Sequence, residues 1–182
     1  LVTATVTPAI AVSGAAASSA ITMFNGLPSY LEIGELMQPS TIYYTSPEGA
    51  PVELATFFDQ DREPVSFDNV APVMYDAILS SEDPRFYEHG GIDMIGTARA
   101  ILKTYTGGNV QGGSSISQQY VKNVQVQACE SKAKNDEDLK SCYDEAVTSD
   151  GTSGMARKLQ EMRYAIELEK QYSKQDILLG YL

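Results

Sequence analysis

The chain has 182 residues, of which 43% are hydrophobic, and this is enough for one globular domain of ordinary size with a real core. Acidic residues number 24 against 13 basic residues, which gives a net charge of −11. Nucleic-acid binding needs a basic footprint, so this balance argues against a nucleic-acid partner. Any anionic ligand would have to meet a local cluster of basic side chains.

The first 24 residues carry no charge. Their length meets the roughly 20 residues that a helix needs to cross a bilayer, although Pro8 and Gly14 weaken the pattern. We therefore expect a membrane anchor, or its outer part, over residues 1–26. A buried apolar helix and the remnant of a signal peptide are the alternatives, because no basic flank is present to decide between them.

A β-hairpin is predicted in the next segment, residues 27–67. Two runs of β-branched and aromatic residues, Thr41–Thr45 and Val52–Phe58, are separated by six residues with two prolines and a glycine. Pro64–Phe67 reads as a third extended piece. This segment is expected to join the anchor to a helical domain over residues 68–182.

The first stretch with a candidate catalytic residue is the end of a predicted helix. Apolar residues recur at helical spacing after Asp68, which predicts a cap there, with Pro72 tolerated in the first turn. Pro84 disfavours helical backbone at Asp83, so the helix is expected to stop at that residue. Glu82 then lies at the negative end of the helix dipole, where a carboxylate is a better proton acceptor. An ordinary solvated charge pair is the alternative.

The second stretch is a helix start that follows two glycines. Gly112 and Gly113 lead into a capping box formed by Ser115 and Gln118. The free backbone N–H groups of such a start can bind an anion, and Lys122 lies one to two turns further on. A nucleotide-binding P-loop is excluded, because glycine stands where that motif has lysine. A simple turn is the alternative.

The third stretch places two cations beside a carboxylate. Arg157 and Lys158 precede Glu161 by four and three residues on a predicted helix, so the three side chains share one face. A surface ion pair is the usual outcome of such spacing. Further along, a capping box of Ser173 and Asp176 opens a last helix that has no stop signal before the chain ends.

Cys129 and Cys142 flank a charged, polar segment without metal-ligand spacing. A disulfide is the expected use, and it would stabilise the fold by roughly 3 kcal/mol. Such bonds persist in oxidising compartments, which points outside the cytoplasm. Two free thiols in a loop are the alternative.

Together the three stretches resemble the motifs of the family 51 peptidoglycan glycosyltransferases, found in class A penicillin-binding proteins and in monofunctional enzymes. Glu82–Gly91 resembles ED-x-x-F-x-x-H-x-G, and Arg157–Glu161 resembles RK-x-x-E. Gly112–Asn123 resembles GGSTITQQ-x-x-KN, with Ser115 and Ser117 in place of the threonines. The order and spacing of the motifs also agree.

The resemblance implies a mainly α, lysozyme-like domain with a small juxtamembrane β-hairpin. It implies a single-pass protein of the bacterial cell membrane whose domain faces the outside of the cell and polymerises lipid II by inverting transfer to a sugar 4-hydroxyl. The expected partners are lipid II, the nascent lipid-linked glycan, the membrane and the cell-wall synthesis machinery, without an organic cofactor. The fourth and fifth family motifs would lie beyond Leu182, so this piece alone is expected to be inactive.

The resemblance also implies roles for individual residues. Glu82 would be the general base, and Glu161 would assist the departing pyrophosphate, as a candidate ligand of a divalent cation such as Mg²⁺ or Mn²⁺. The expected substrate-binding residues are Asp83, Ser114, Ser115, Gln118, Gln119, Lys122, Arg157 and Lys158. The expected structural residues are Phe86, His89, Gly112 and Gly113.

Two other classes of function remain open on the sequence. A lysozyme-like glycan hydrolase would also use a glutamate at a helix end, but it would not need the cations of the second and third stretches. A non-catalytic, membrane-anchored scaffold is the other alternative, favoured by the missing C-terminal motifs.

Overall fold

The computed structural model describes residues 18, 21–29, 31–33, 39–58, 64–105, 113–148 and 151–182. Within these residues the protein is mainly helical with one two-stranded sheet, which confirms the predicted fold class. Most of the expected anchor over residues 1–26, and Gly112, lie outside the described residues. None of the helices in the described part is both long and apolar enough to cross a membrane.

The hairpin predicted from the β-branched and aromatic runs is confirmed. Strands β1 (Ser40–Thr45) and β2 (Pro51–Phe57) pair antiparallel, with an irregularity between Ile42 and Tyr43. Gly49 occupies the turn with a φ of 83°, a conformation that favours glycine. The hairpin precedes the helices in the chain.

Six helices follow in the described part of the chain. One 3₁₀ turn, Phe67–Asn69, precedes the first helix, and another, Phe86–Glu88, lies between the first two helices. We number the helices α1 (Pro72–Glu82), α2 (Met94–Tyr105), α3 (Ile116–Lys132), α4 (Asp136–Val147), α5 (Gly151–Gln171) and α6 (Lys174–Tyr181).

The predicted start of the first helix is wrong and its predicted end is correct. Asp68 lies in the preceding 3₁₀ turn, whereas α1 begins at Pro72 without a side-chain cap. Proline suits the first helical position because its φ is already fixed and its missing N–H would have no partner there. At the other end Asp83 is the C-cap, as expected for the residue before Pro84.

Helix α3 lies at the centre of the domain and packs against α4, α5 and α6. The core is built from buried side chains on four helices, α1, α3, α5 and α6, and on the first motif. Burying each large aliphatic side chain stabilises the fold by roughly 1.5–3 kcal/mol. The core residues are Tyr75, Phe86, Ile116, Val121, Ala165, Leu168, Ile177 and Leu178.

Gly91 allows the first motif to pack directly on α5. Its φ is +81°, and a Cβ at this position would lie 2.7 Å from the backbone carbonyl of Ala165. Only glycine meets both conditions. The end of the first motif is therefore fixed against the helix that carries Glu161.

The predicted disulfide is confirmed. Cys129 in α3 and Cys142 in α4 are bonded, with their Cα atoms 5.6 Å apart. The charged segment between them is mostly helical. Asn135 explains this, because its side chain accepts a hydrogen bond from the Asp138 N–H at 2.8 Å and starts α4. The bond therefore ties two helices together.

Replacing both cysteines with serine is expected to lower the free energy of unfolding by roughly 3 kcal/mol, since the cross-link limits the unfolded chain. Denaturant unfolding of the parent and of the double variant, each with and without reductant, measures the effect. Reductant should destabilise the parent and leave the double variant unchanged. Equal midpoints for the two proteins under oxidising conditions would contradict the expectation.

Candidate active site

An open cleft of about 580 Å³ lies where the end of α1, the start of α2 and the start of α3 meet. Polar and charged side chains form most of its wall. The lining residues are Ser80, Ser81, Glu82, Asp83, Pro84, Asp93, Gly96, Arg99, Gly113, Ser114, Ser115, Gln119 and Lys122. The first and second sequence stretches therefore share one cleft.

Glu82 is the last residue of α1 and is exposed to the cleft. Its Oε2 atom accepts a hydrogen bond from Gln119 Nε2 at 3.0 Å. Gln119 Oε1 in turn accepts one from the Tyr181 hydroxyl at 3.1 Å. The carboxylate predicted to act as a base is thus accessible and held at a fixed place by α3.

The neighbouring Asp83 has a different environment, because it is only 4% exposed. Its carboxylate lies 2.9 and 3.0 Å from His89 Nε2 and accepts a hydrogen bond from the Ile116 N–H at 3.1 Å. The edge of the His89 ring packs near Phe86. Asp83 therefore joins the first motif to the first residue of α3 and orients that helix start.

The capping box predicted at the start of α3 is confirmed. Ser115 Oγ accepts from the Gln118 N–H at 3.2 Å, and Gln118 Oε1 accepts from the Ser115 N–H at 3.0 Å. Ser115 Oγ also donates to the Gly91 carbonyl at 2.5 Å. Both side chains are buried and satisfy the helix end, whereas Gly113 and Ser114 lie at the cleft wall.

The third stretch reaches the second through Lys158. Glu161 is only 2% exposed, and its two oxygens bind Arg157 Nη1 at 2.6 Å and Lys158 Nζ at 2.5 Å. Lys158 Nζ also donates to Ser114 Oγ at 2.7 Å. The Arg157 Nε group donates to the Thr148 carbonyl at 2.5 Å, which connects this cluster to the disulfide-bonded helices. The two cations balance the charge of a buried carboxylate.

The surroundings of Glu161 do not fit a divalent cation. Both oxygens are already bonded to cations, which a metal ion would have to displace. The described residues also contain no group of three or more His, Cys, Asp or Glu that could hold a metal. The mechanism proposed for this cleft therefore relies on cationic side chains.

Two further cations line the cleft. Lys122 and Arg99 make no hydrogen bond or ion pair with any other described residue. Lys122 was predicted from the helix start, but Arg99 was missed because no local motif marks it. The sequence did contain one signal for Arg99: it is a basic residue in a strongly acidic chain, and it follows Gly96 by about one helical turn. Both can meet an anion in the cleft.

Asp93 in the cleft wall binds Arg85 and the Gly96 N–H, and its ionisation makes the free energy of unfolding depend on pH. Burial raises the pKa of Asp93, but the Gly96 N–H at 2.9 Å and the Arg85 guanidinium outweigh it, so the pKa lies below its ordinary value. A carboxyl group with a lowered pKa in the folded state stabilises the fold above its unfolded-state pKa. This contribution is lost as the pH falls through the folded-state pKa.

Asp93→Asn is therefore expected to be less stable than the parent at neutral pH, with a difference that shrinks in acid below the ordinary aspartate range. Urea unfolding at several pH values measures the difference. Asp76→Asn, at an exposed site on α1, is the matched control and should show a smaller effect. A difference between parent and Asp93→Asn that stays constant with pH would contradict the ion-pair account.

Comparison with known proteins places these features in a family. The family described as Transglycosylase matches residues 50–182. Penicillin-binding protein 1F of Bacillus subtilis (strain 168) is 36% identical over 131 residues, which cover 71% of this chain and 15% of that protein.

Two shorter relatives are also similar to this chain. A monofunctional glycosyltransferase of Staphylococcus haemolyticus (strain JCSC1435) is 36% identical over 141 residues, 78% of this chain and 43% of that protein. One of Staphylococcus aureus (strain JH9) is 38% identical over 118 residues, 65% of this chain and 35% of that protein. The chain thus spans less than half the length of each relative. Since the family match runs from the hairpin through all three stretches that meet at the cleft, the chain belongs to the transglycosylase family of peptidoglycan glycosyltransferases.

Proposed function

We propose that this domain polymerises lipid II into glycan chains as part of a longer, membrane-bound protein. The observation that carries the proposal is the meeting of the three motifs at the start of α3. Gln119 bonds Glu82 of the first motif, and Ser114 bonds Lys158 of the third. A proton acceptor and several cations are thereby gathered at one cleft, as transfer from a pyrophosphate donor requires.

Glu82 serves as the general base in this proposal. It accepts the proton of the acceptor 4-hydroxyl while that oxygen forms a bond to C1 of the donor sugar. The bond between C1 and the phosphate oxygen breaks, the electron pair leaves with the lipid pyrophosphate, and the configuration at C1 inverts. The exposed position of Glu82 allows a sugar hydroxyl to reach it.

The pyrophosphate is held by the cations and by the start of α3. Lys122 and Arg99 line the cleft without partners among the described residues, and the helix start adds the positive end of its dipole. The N–H groups of Ser115, Ile116 and Gln118, which the sequence predicted to be free, are already bonded within the protein. Lys158 lies at the wall through Ser114. Glu161 does not line the cleft and acts indirectly, because its ion pairs hold Lys158 and Arg157 in place. These contacts would offset the charge that grows on the leaving group.

Within this proposal the predicted substrate-binding residues divide into two groups. Ser114 and Lys122 face the cleft and are assigned to substrate, with Arg157 and Lys158 as supporting cations. Gln119 also lines the cleft and is assigned to holding Glu82. Asp83, Ser115 and Gln118 are assigned to the scaffold, because they are buried and their polar atoms bond the start of α3 or the first motif.

We further propose that the domain works at the outer face of the bacterial cell membrane. Two large apolar side chains between the lining residues Asp93 and Gly96 are exposed, Met94 at 71% and Ile95 at 64%. An exposed apolar patch next to a polar cleft suits an enzyme whose substrate is anchored in lipid. The disulfide supports an oxidising compartment, and the uncharged start of the chain supports an anchor. The nascent glycan and the cell-wall synthesis machinery are the proposed partners.

Incubating the full-length protein in detergent with labelled lipid II tests the function. Glycan chains that lengthen with time are the expected result. A hydrolase would instead shorten preformed glycan and leave lipid II unpolymerised, and a scaffold would do neither. The cluster of cations around the cleft favours the transferase over the hydrolase, which has no pyrophosphate to hold.

A further inference from the structure

A chain of two hydrogen bonds connects the last helix to the base in the cleft. Tyr181, on the last turn of α6, bonds Gln119 Oε1 at 3.1 Å. Gln119 Nε2 bonds Glu82 Oε2 at 3.0 Å. Tyr181 is 62 residues from Gln119 in sequence and does not line the cleft.

The direction of each hydrogen bond follows from the chemistry of the three groups. An ionised carboxylate only accepts, so the amide must present its NH₂ group to Glu82. The carbonyl end of Gln119 then faces Tyr181, whose hydroxyl must donate. Burial, together with the charge of Glu82, raises the pKa of Tyr181, and this keeps the phenol in the protonated form that can donate. The amide in the opposite orientation would place its oxygen against the carboxylate.

Helix α6 holds the phenol firmly. Ile177 and Leu178 are completely buried in the core, and the capping box of Ser173 and Asp176 fixes the start of the helix. Gly180 lets the Tyr120 ring pack against the backbone, since a Cβ there would lie 2.6 Å from that ring. The hydroxyl of Tyr181 is therefore presented from a rigid element.

We propose that Tyr181 is a positioning residue for the general base: by donating to Gln119 it fixes the amide orientation that holds Glu82 in place. This inference rests on the proposed function of Glu82. Tyr181 touches no substrate in this account and acts only through Gln119. Without the hydroxyl, the amide can rotate and Glu82 loses a fixed donor.

The turnover test uses Tyr181→Phe in the full-length enzyme with labelled lipid II. Loss of one hydrogen bond behind the base is expected to lower kcat by roughly 5- to 10-fold, with KM close to that of the parent. Tyr164→Phe is the matched control, because Tyr164 also packs against the core but forms no hydrogen bond with the described residues through its hydroxyl. This control should retain the parent kcat.

A double-mutant cycle with Gln119→Met shows whether Tyr181 acts through Gln119. Methionine has a similar shape and cannot relay a hydrogen bond, so adding Tyr181→Phe should cause no further loss of kcat. The proposal would be overturned if the double variant lost kcat by the product of the two single-variant losses. It would also be overturned if Tyr181→Phe alone kept the parent kcat.

A second readout separates this inference from the proposed function. The side-chain NH₂ signals of Gln119 in ¹⁵N-labelled protein should shift on Glu82→Gln and also on Tyr181→Phe, whether or not the protein polymerises lipid II. Signals that respond to Glu82→Gln but not to Tyr181→Phe would overturn the positioning role. Failure of the parent to polymerise would instead overturn the function alone.

Discussion

Replacing Glu82 with glutamine should reduce the polymerisation of lipid II by at least about 100-fold, the scale of general-base loss. Glutamine has nearly the shape of glutamate and can still bond Gln119, but it cannot take up the proton of the acceptor hydroxyl. Because Glu82 is exposed at the helix end, the fold should be unaffected. The loss should therefore appear in kcat rather than in protein yield or stability.

Glycan synthesis by the full-length variant, followed with labelled lipid II, measures the effect. Glu88→Gln is the matched control, because it removes the same charge from an exposed site in the same motif. That control should keep nearly the parent rate. If Glu82→Gln also polymerised at the parent rate, Glu82 would be only a solvated charge at a helix stopped by proline.

Glu161→Gln should lower both stability and turnover. The carboxylate is only 2% exposed and binds two cations, so its neutralisation leaves Arg157 and Lys158 without their counter-charge. Breaking a buried ion pair from one side costs about 3 kcal/mol or more. The loosened Lys158 would also lose its fixed place at Ser114, which weakens the grip on the leaving pyrophosphate.

Glu167→Gln provides the comparison on the same helix. Glu167 also has two cationic neighbours, Lys170 at 2.9 Å and Arg163 at 3.7 Å, but its side chain is 18% exposed. Lys158 bonds the lining residue Ser114, whereas neither Lys170 nor Arg163 lines the cleft. Salt bridges near the surface contribute about 1 kcal/mol or less to the free energy of unfolding. Denaturant unfolding and turnover of both variants decide the matter. Equal effects of the two substitutions would remove any special role for Glu161.

The parts of the site that follow from short-range rules could be predicted from the sequence. Pro84 stops α1 through its clash with the preceding residue, which places Glu82 at a helix end. Spacing of four and three residues on one helix brings Arg157 and Lys158 to Glu161.

Short-range rules fail where two signals compete. Asp68 and Pro72 both resemble helix starts, and the structure uses the proline. Nothing local decides between them, because the choice depends on how the preceding turn packs. The stacking of Phe67 on Tyr75 is such a contact, since it holds the 3₁₀ turn against the helix.

Contacts between distant segments were beyond sequence reasoning. Asp83 bonds the Ile116 N–H, 33 residues away, and no local pattern in the sequence indicates this link. Arg99 reaches the cleft only because α2 packs beside the first motif. Such pairings depend on the angles at which helices cross, which periodicity does not fix.

The division of labour in the cleft is tested by the affinity of the full-length protein for an unreactive lipid pyrophosphate at low ionic strength. Lys122→Ala should weaken binding by about 10-fold or more, since a charge-assisted contact is worth roughly 1.5–3 kcal/mol. Glu82→Gln should bind within about 2-fold of the parent while polymerisation is lost, because the base contacts the acceptor and not the pyrophosphate. Parent-like binding by Lys122→Ala, or weak binding by Glu82→Gln, would contradict this assignment of the base and the cation.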